Sequence, residues 1–434
     1  MWFVSTRDTG ERVPLATAIN RGLAPDGGLY VPETLPQADA GALAQAGSPA
    51  ELAARLLAPF ALGDALAASL AALTTEALDF PMPVVDIDRA PDLLSVLELY
   101  HGPTAAFKDV GARFLAAALQ RLPRDETRRF TILVATSGDT GGAVAAAFHR
   151  RPWVEVVVLY PRGLVSARQE QQLACWGGNV RTLSVAGTFD DCQRLVKDAF
   201  ADERLASVLQ LSSANSINVG RLLPQMVYYA AASLQLAGRD GRPPNFIIPT
   251  GNLGNALACT WAREMGLPIG DIVLASNANR TVPEYLASGV WQPRPSVATL
   301  ASAMDVGNPS NLERLRWLDP DRSRLRGPLA AASVSDAEIR DTIRRDHRDL
   351  GRAWCPHTAT AACVYRRLPA ARRAGRWVIV ATAHPAKFND IVEPLIGAGI
   401  PVPPALAALL SLPRVQREIA ARSEDLRNLL LEHQ

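Results

Sequence analysis

Lysine is nearly absent from this chain: of 434 residues, 45 are Lys or Arg, and lysine stands only at Lys108, Lys197 and Lys387. Arginine replaces lysine as a surface charge but not as a nucleophilic amine, because its guanidinium stays protonated near neutral pH. Cysteine is scarce as well. Cys175, Cys192, Cys259, Cys355 and Cys363 lie far apart, odd in number and without a CxxC pair, which fits reduced thiols rather than a disulfide framework. The six histidines form no HxxxH or HExxH pattern, so no metal is expected. No apolar run reaches membrane-spanning length: 52–73 is broken by Pro59, Gly63 and Asp64, and the first residues lack the apolar core of a signal peptide. The net charge of +2 gives no electrostatic reason to bind nucleic acid or an anionic membrane. Basic runs at 314–327 and 339–352 alternate with Asp and read as solvated helix faces. A soluble, cytoplasmic protein is expected; whether it is a monomer or homodimer is not written in the sequence.

At this length two or three domains are expected. Residues 1–80 start with a short strand (2–6) and a Gly/Pro-rich loop (24–36), then turn helical, and the proline cluster FPMPVV (80–85) bounds them. Beyond it, β-rich apolar runs at 93–99, 130–136, 154–160, 179–185, 245–250, 271–276 and 376–382 alternate with helical segments. Those helical segments lie at 109–122, 138–150, 166–176, 189–201, 219–237 and 253–266. Such alternation predicts an α/β fold of parallel sheets covered on both faces. The stretch 288–330, rich in Pro, Ser and Asn, reads as an excursion over the surface.

Ligands of open parallel sheets bind at the carboxyl ends of the strands, and the polar-small motifs sit there. TSGDTGG (136–142) follows one strand, PTGNLGNA (249–256) another and TAHPAKF (382–388) a third. GNLGN (251–255) places glycines between strand and helix, where backbone amides and the positive helix end face an anion. It lacks the GK[ST] and GxGxxG spacings of nucleotide loops, and by itself a plain tight turn is the better reading. TSGDTGG carries more capping residues and glycines than one helix cap needs, which suits a cradle for a small carboxylate. SSANSINVGR (212–221) brings Ser, Asn and Arg to a helix start, as a cap or as a phosphate-ester site. Lys108 in HGPTAAFKD (101–109) is the best candidate for amine chemistry, since a Schiff base needs a primary amine able to lose its proton. Lys197 lies on an ordinary amphipathic helix; Lys387 either touches substrate phosphate or caps a strand end.

Together DGGLYVPETLP, ELYHGPTAAFKDVGARF, ATSGDTGGAVAAAF, VVLYPRG, SANSINVGRLLPQ, PTGNLGNALA, ASAMDVGNPSN and ATAHPAKF resemble the threonine synthase family, in the branch with an extended N-terminal region. The motifs keep their order from end to end. The resemblance implies two parallel-sheet α/β domains with pyridoxal 5'-phosphate in the cleft between them, plus a mainly helical N-terminal region. Its division would be 1–80, 81–220 with the Schiff-base lysine and the TSGDTG loop, and 221–434 with the cofactor phosphate loop.

It further implies that Lys108 carries the cofactor, that Gly251, Asn252, Leu253 and Gly254 hold its phosphate, and that Thr382 faces its ring nitrogen. Thr136, Ser137, Gly138, Asp139 and Thr140 would hold the substrate carboxylate, and Asn215, Ser216 and Arg221 the substrate phosphate. The implied reaction takes O-phospho-L-homoserine and water to L-threonine and phosphate. A related β-eliminase of the serine/threonine dehydratase kind, or a non-catalytic binding protein on the same fold, are the competing readings. Leu253 and Asn255 stand where relatives often have an aromatic and an acidic residue.

Overall fold

The valine-rich run at 154–161 forms a strand in which every residue but Glu155 is buried, the signature of a strand covered on both faces. It lies in a computed structural model that describes residues 1–7, 10–87, 92–123, 127–320 and 329–432. Residues 321–327 of the basic run expected to be solvated fall outside them. The strands are β1 (Phe3–Ser5), β2 (Tyr30–Pro32), β3 (Val84–Asp86), β4 (Leu94–Glu98), β5 (Arg129–Ala135), β6 (Val154–Pro161), β7 (Val180–Ala186), β8 (Leu209–Ser213), β9 (Asn245–Pro249), β10 (Ile272–Ser276), β11 (Leu329–Ser333), β12 (Trp377–Ala381) and β13 (Arg417–Ala420).

They form a two-stranded β1–β2 ribbon, a six-stranded sheet in the order β11-β10-β9-β12-β4-β3 and a five-stranded sheet in the order β13-β7-β6-β5-β8. All pairs in the two large sheets are parallel except β3–β4. The α/β class and the paired parallel sheets are as expected, and each of the seven apolar runs is a strand.

Strand pairing cuts across the expected 81–220 and 221–434 segments in two places. β4 enters the larger sheet beside β12, in register from Leu94 opposite Trp377 to Glu98 opposite Ala381, although it precedes Lys108 in sequence. All five of its residues are buried, which requires neighbours a lone edge could not supply. β13, near the C-terminus, joins the smaller sheet beside β7. It is a mostly exposed edge strand, so it has no apolar run to announce it.

Of the stretch 288–330, residues 288–300 do run over the surface, but 301–319 are not a surface excursion. Within it Ala301, Met304, Asn311, Leu312 and Arg314 are buried. Arg314 explains why: its guanidinium donates to the carbonyls of Tyr30, Ser216 and Ile217 and to Asn311 Oδ1, tying the N-terminal region to the cleft. A buried guanidinium needs such saturation to be tolerable.

Candidate active site

Lys108 opens the helix Lys108–Arg121, and the loop before it is fastened to the end of β12. Phe107 N–H donates to Thr382 O at 2.9 Å, His384 N–H donates to Ala105 O at 3.0 Å, and Ala105 takes a positive φ of 54° to allow it. Asp109 braces the same turn, accepting from Thr104 N–H at 2.9 Å and Thr104 Oγ at 2.7 Å. Lys108 faces a cavity, continuous with solvent, at the carboxyl ends of β9 and β12. Burial, reinforced by the charge of Arg221 and opposed by Asp139, lowers its amine to about 8. Near neutral pH a useful fraction is therefore the free base that amine chemistry needs.

Opposite the amine, the helix Gly254–Glu264 begins without a side-chain cap. Leu253 turns the chain at φ 63°, and the first helical bond runs from Leu257 N–H to Leu253 O, so the amides of 254–256 find no acceptor among the described residues. Gly251 has to be glycine, because a Cβ there would lie 2.7 Å from Met304 Cα. The Asn252 side chain is structural: it donates to Ser216 Oγ at 2.7 Å and accepts from Ser310 N–H at 2.6 Å. Arg221 donates Nη1 to Ala214 O, while its buried Nε has no partner among the described residues. An uncapped helix start and a glycine pressed on neighbouring backbone fit a phosphate ester, and the Arg221 N–H is left for a second anion. With the Lys108 amine across the cavity, the residues present fit an aldehyde-bearing phosphate cofactor. Thr382, buried, offers a hydroxyl with no partner among the described residues.

The cavity wall gathers Lys108, Asp139, Ser216, Arg221, the 251–254 turn and Thr382. Thr136, Ser137, Gly138, Thr140 and Asn215 are not in it. Thr136 organises the loop instead, its Oγ accepting from the amides of Gly138 at 3.0 Å and Gly141 at 2.9 Å. Gly138 takes φ 133°, where a Cβ would also strike Gln169. The Asp139 carboxylate accepts from Lys387 Nζ at 2.8 Å and Gln169 Nε2 at 3.1 Å. Burial works to raise its pKa, but Lys387, His357 and Gln169 together hold it below the ordinary value. So charged and paired, the side chain cannot receive a second carboxylate; only the loop's amides and the half-buried Ser137 and Thr140 hydroxyls are suited to that.

Lys387 is neither a strand cap nor a cavity residue: it is fully buried, and its amine also donates to Thr104 O at 2.8 Å. His384 packs its ring on Tyr100, and His101 pairs with Glu98, both off the cavity wall. Met304, His357 and Asn311 escaped the sequence reading. ASAMDVGNPSN (301–311) was visible only as a motif without a role, and His357 had no partner at recognisable spacing.

The fold and this cavity define a pyridoxal-phosphate-dependent enzyme, and the family model described as pyridoxal-phosphate dependent enzyme matches residues 77–383. Models described as threonine synthase N terminus and threonine synthase C-terminal match residues 2–78 and 358–430. Threonine synthase of Serratia marcescens is 40% identical over 437 residues, covering 99% of both chains. The crystal structure of threonine synthase from Escherichia coli superposes with a TM-score of 0.91 at 38% identity, over 100% of both chains. That of pyridoxal-phosphate-bound threonine synthase from Brucella melitensis gives 0.90 at 34% identity, over 100% of this chain and 99% of that one. The chain belongs to the threonine synthase family. It is a lyase of threonine biosynthesis that uses pyridoxal phosphate.

Proposed function

We propose that the substrate is O-phospho-L-homoserine, converted with water to L-threonine and inorganic phosphate, and that Lys108 is the amine that holds the cofactor. The observation that carries this is the solitary amine lowered to about 8 and facing an uncapped helix start across one cavity. Pyridoxal phosphate, when bound, supplies an electron sink for charge developing beside the substrate amine. The amides of 254–256, with Gly251, Asn252, Leu253 and Gly254 shaping the turn, hold its phosphate. The Thr382 hydroxyl would be the partner of the ring nitrogen.

With the cofactor bound, Lys108 Nζ as a free amine would take the proton from substrate Cα and return it there, which a group titrating near neutrality does in both directions. The hydroxyls of Ser137 and Thr140 and the amides of Ser137, Asp139 and Thr140 receive the substrate carboxylate, with Thr136 and Gly138 organising the loop and Asp139 pinning it. Arg221 and Ser216, with Asn215 behind them, are the phosphate-binding set nearest the cavity; the Arg221 guanidinium, though lowered by burial to about 10, stays charged at neutral pH. By function the chain divides into 1–80, 81–220 with Lys108 and the TSGDTG loop, and 221–434 with the phosphate turn, although β4 and β13 pair across that division; the five free cysteines suit a reducing compartment, the cytoplasm.

Turnover separates this reading from its rivals. Purified holoenzyme should release phosphate from O-phospho-L-homoserine with stoichiometric L-threonine. Ammonia and a keto acid from L-serine, with no phosphate release, would reassign it to a dehydratase. Lys108→Arg should be inactive, since a guanidinium cannot take the place of the amine.

A further inference from the structure

His357 stands at the start of the helix Pro356–Arg367 and forms part of the cavity wall with Lys108, Asp139 and Thr382. It is buried, and its ring packs on Phe388 with centroids 4.9 Å apart. Nε2 accepts a hydrogen bond from the backbone N–H of Ala303 at 3.0 Å. A backbone amide can only donate, so Nε2 carries the lone pair and the proton of the neutral ring sits on Nδ1. Burial first, and then the charges of Lys108 and Lys387, lower the ring to about 4 against the pull of Asp139, so it stays neutral at working pH. Nδ1–H is buried and has no partner among the described residues. A buried donor left unpaired is costly and needs an explanation. Ala303, which fixes the tautomer, belongs to ASAMDVGNPSN (301–311), whose Asn311 also braces the phosphate turn by donating to Asn252 O at 3.0 Å.

We propose that His357 is a substrate-binding residue whose Nδ1–H donates to an anionic oxygen of the amino-acid substrate, with the 301–311 segment as the device that fixes its tautomer. The inference rests on the substrate reading above. The oxygen belongs to the α-carboxylate or to the phosphate, and two probes tell them apart: L-2-aminobutyrate, which has only the carboxylate, and inorganic phosphate.

The test is calorimetric titration of holoenzyme with each probe, in the wild type, His357→Asn and His357→Gln. Asn places an amide N–H near the Nδ1 position, whereas Gln keeps an acceptor near Nε2 for Ala303 and loses the donor. The expected result is a loss of about 10- to 100-fold in affinity for one probe in the Gln variant, the scale of a hydrogen bond to a charged group, with the Asn variant within about threefold of wild type. The absorbance of the holoenzyme without probe should not change in either variant. Equal binding in all three proteins, or a loss in Asn but not in Gln, overturns the inference and leaves His357 as a brace for the 301–311 wall. A changed absorbance without probe overturns it by assigning the donor to the cofactor. If neither probe binds wild-type holoenzyme, the substrate reading fails and the inference falls with it.

Discussion

Lys387 Nζ lies 2.8 Å from Asp139 Oδ1, and this buried ion pair joins the loop after β5 of one sheet to the segment after β12 of the other. The pair clasps the two sides of the cleft, with Ser166 Oγ donating to Lys387 O at 2.9 Å beside it. Removing one partner strands the other charge in the interior. Lys387→Met should therefore cost about 3–5 kcal/mol of stability in urea unfolding, whereas Lys387→Met combined with Asp139→Leu should recover much of it. A single variant as stable as wild type would show that the clasp contributes nothing.

Acid sensitivity follows from the same pair. Asp139 is held below the ordinary carboxylate value, and a group depressed in the folded state binds fewer protons there than when unfolded. Its contribution is complete above the unfolded value of about 3.9 and is lost as pH falls through the folded one. Stability measured from pH 7 to pH 2 should show this contribution disappearing only below about pH 4. In Asp139→Asn that component of the acid loss should be missing.

Cofactor capture reports on Lys108. Only the neutral amine attacks an aldehyde, so the rate at which apoprotein takes up pyridoxal phosphate should rise about tenfold per pH unit and level off near pH 8. Arg221 is part of the reason the amine is lowered, so Arg221→Gln should move the midpoint upward. Stopped-flow absorbance measures both.

Gly251 tests the phosphate turn. A Cβ would meet Met304 Cα at 2.7 Å and Met304 O at 3.1 Å, and both are backbone atoms. Gly251→Ala must displace the 301–311 wall or the turn itself, for a destabilisation of about 1–3 kcal/mol. Cofactor affinity should fall with it. Fluorescence titration of the apoprotein would show whether it does.

The seven strands read beyond residue 80 were legible because each is a short, β-rich and mostly buried run set between helix-length segments. Among the strands that went unread, β11 is LAAAS, β8 is LQLSS and β13 is REIA, which lack that signal, and β2 and β3 are only three residues long beside prolines. Lys108 stood out because arginine replaces lysine almost everywhere else, and GNLGN because glycine and strand–helix position coincide. His357 and Arg314 were not legible, since their meaning comes from partners 54 and 284 residues away in the chain. Lys387 was seen but misplaced: nothing in TAHPAKF says that its amine turns toward Asp139 rather than into the cavity.

The central claim is that Lys108 holds the cofactor aldehyde, and borohydride reduction of the yellow holoenzyme followed by peptide mapping tests it most directly. The account predicts one pyridoxyl group on the peptide containing GPTAAFKD, and none in Lys108→Ala. A stable adduct on Lys387 or Lys197, or a protein that takes up no aldehyde, would contradict it.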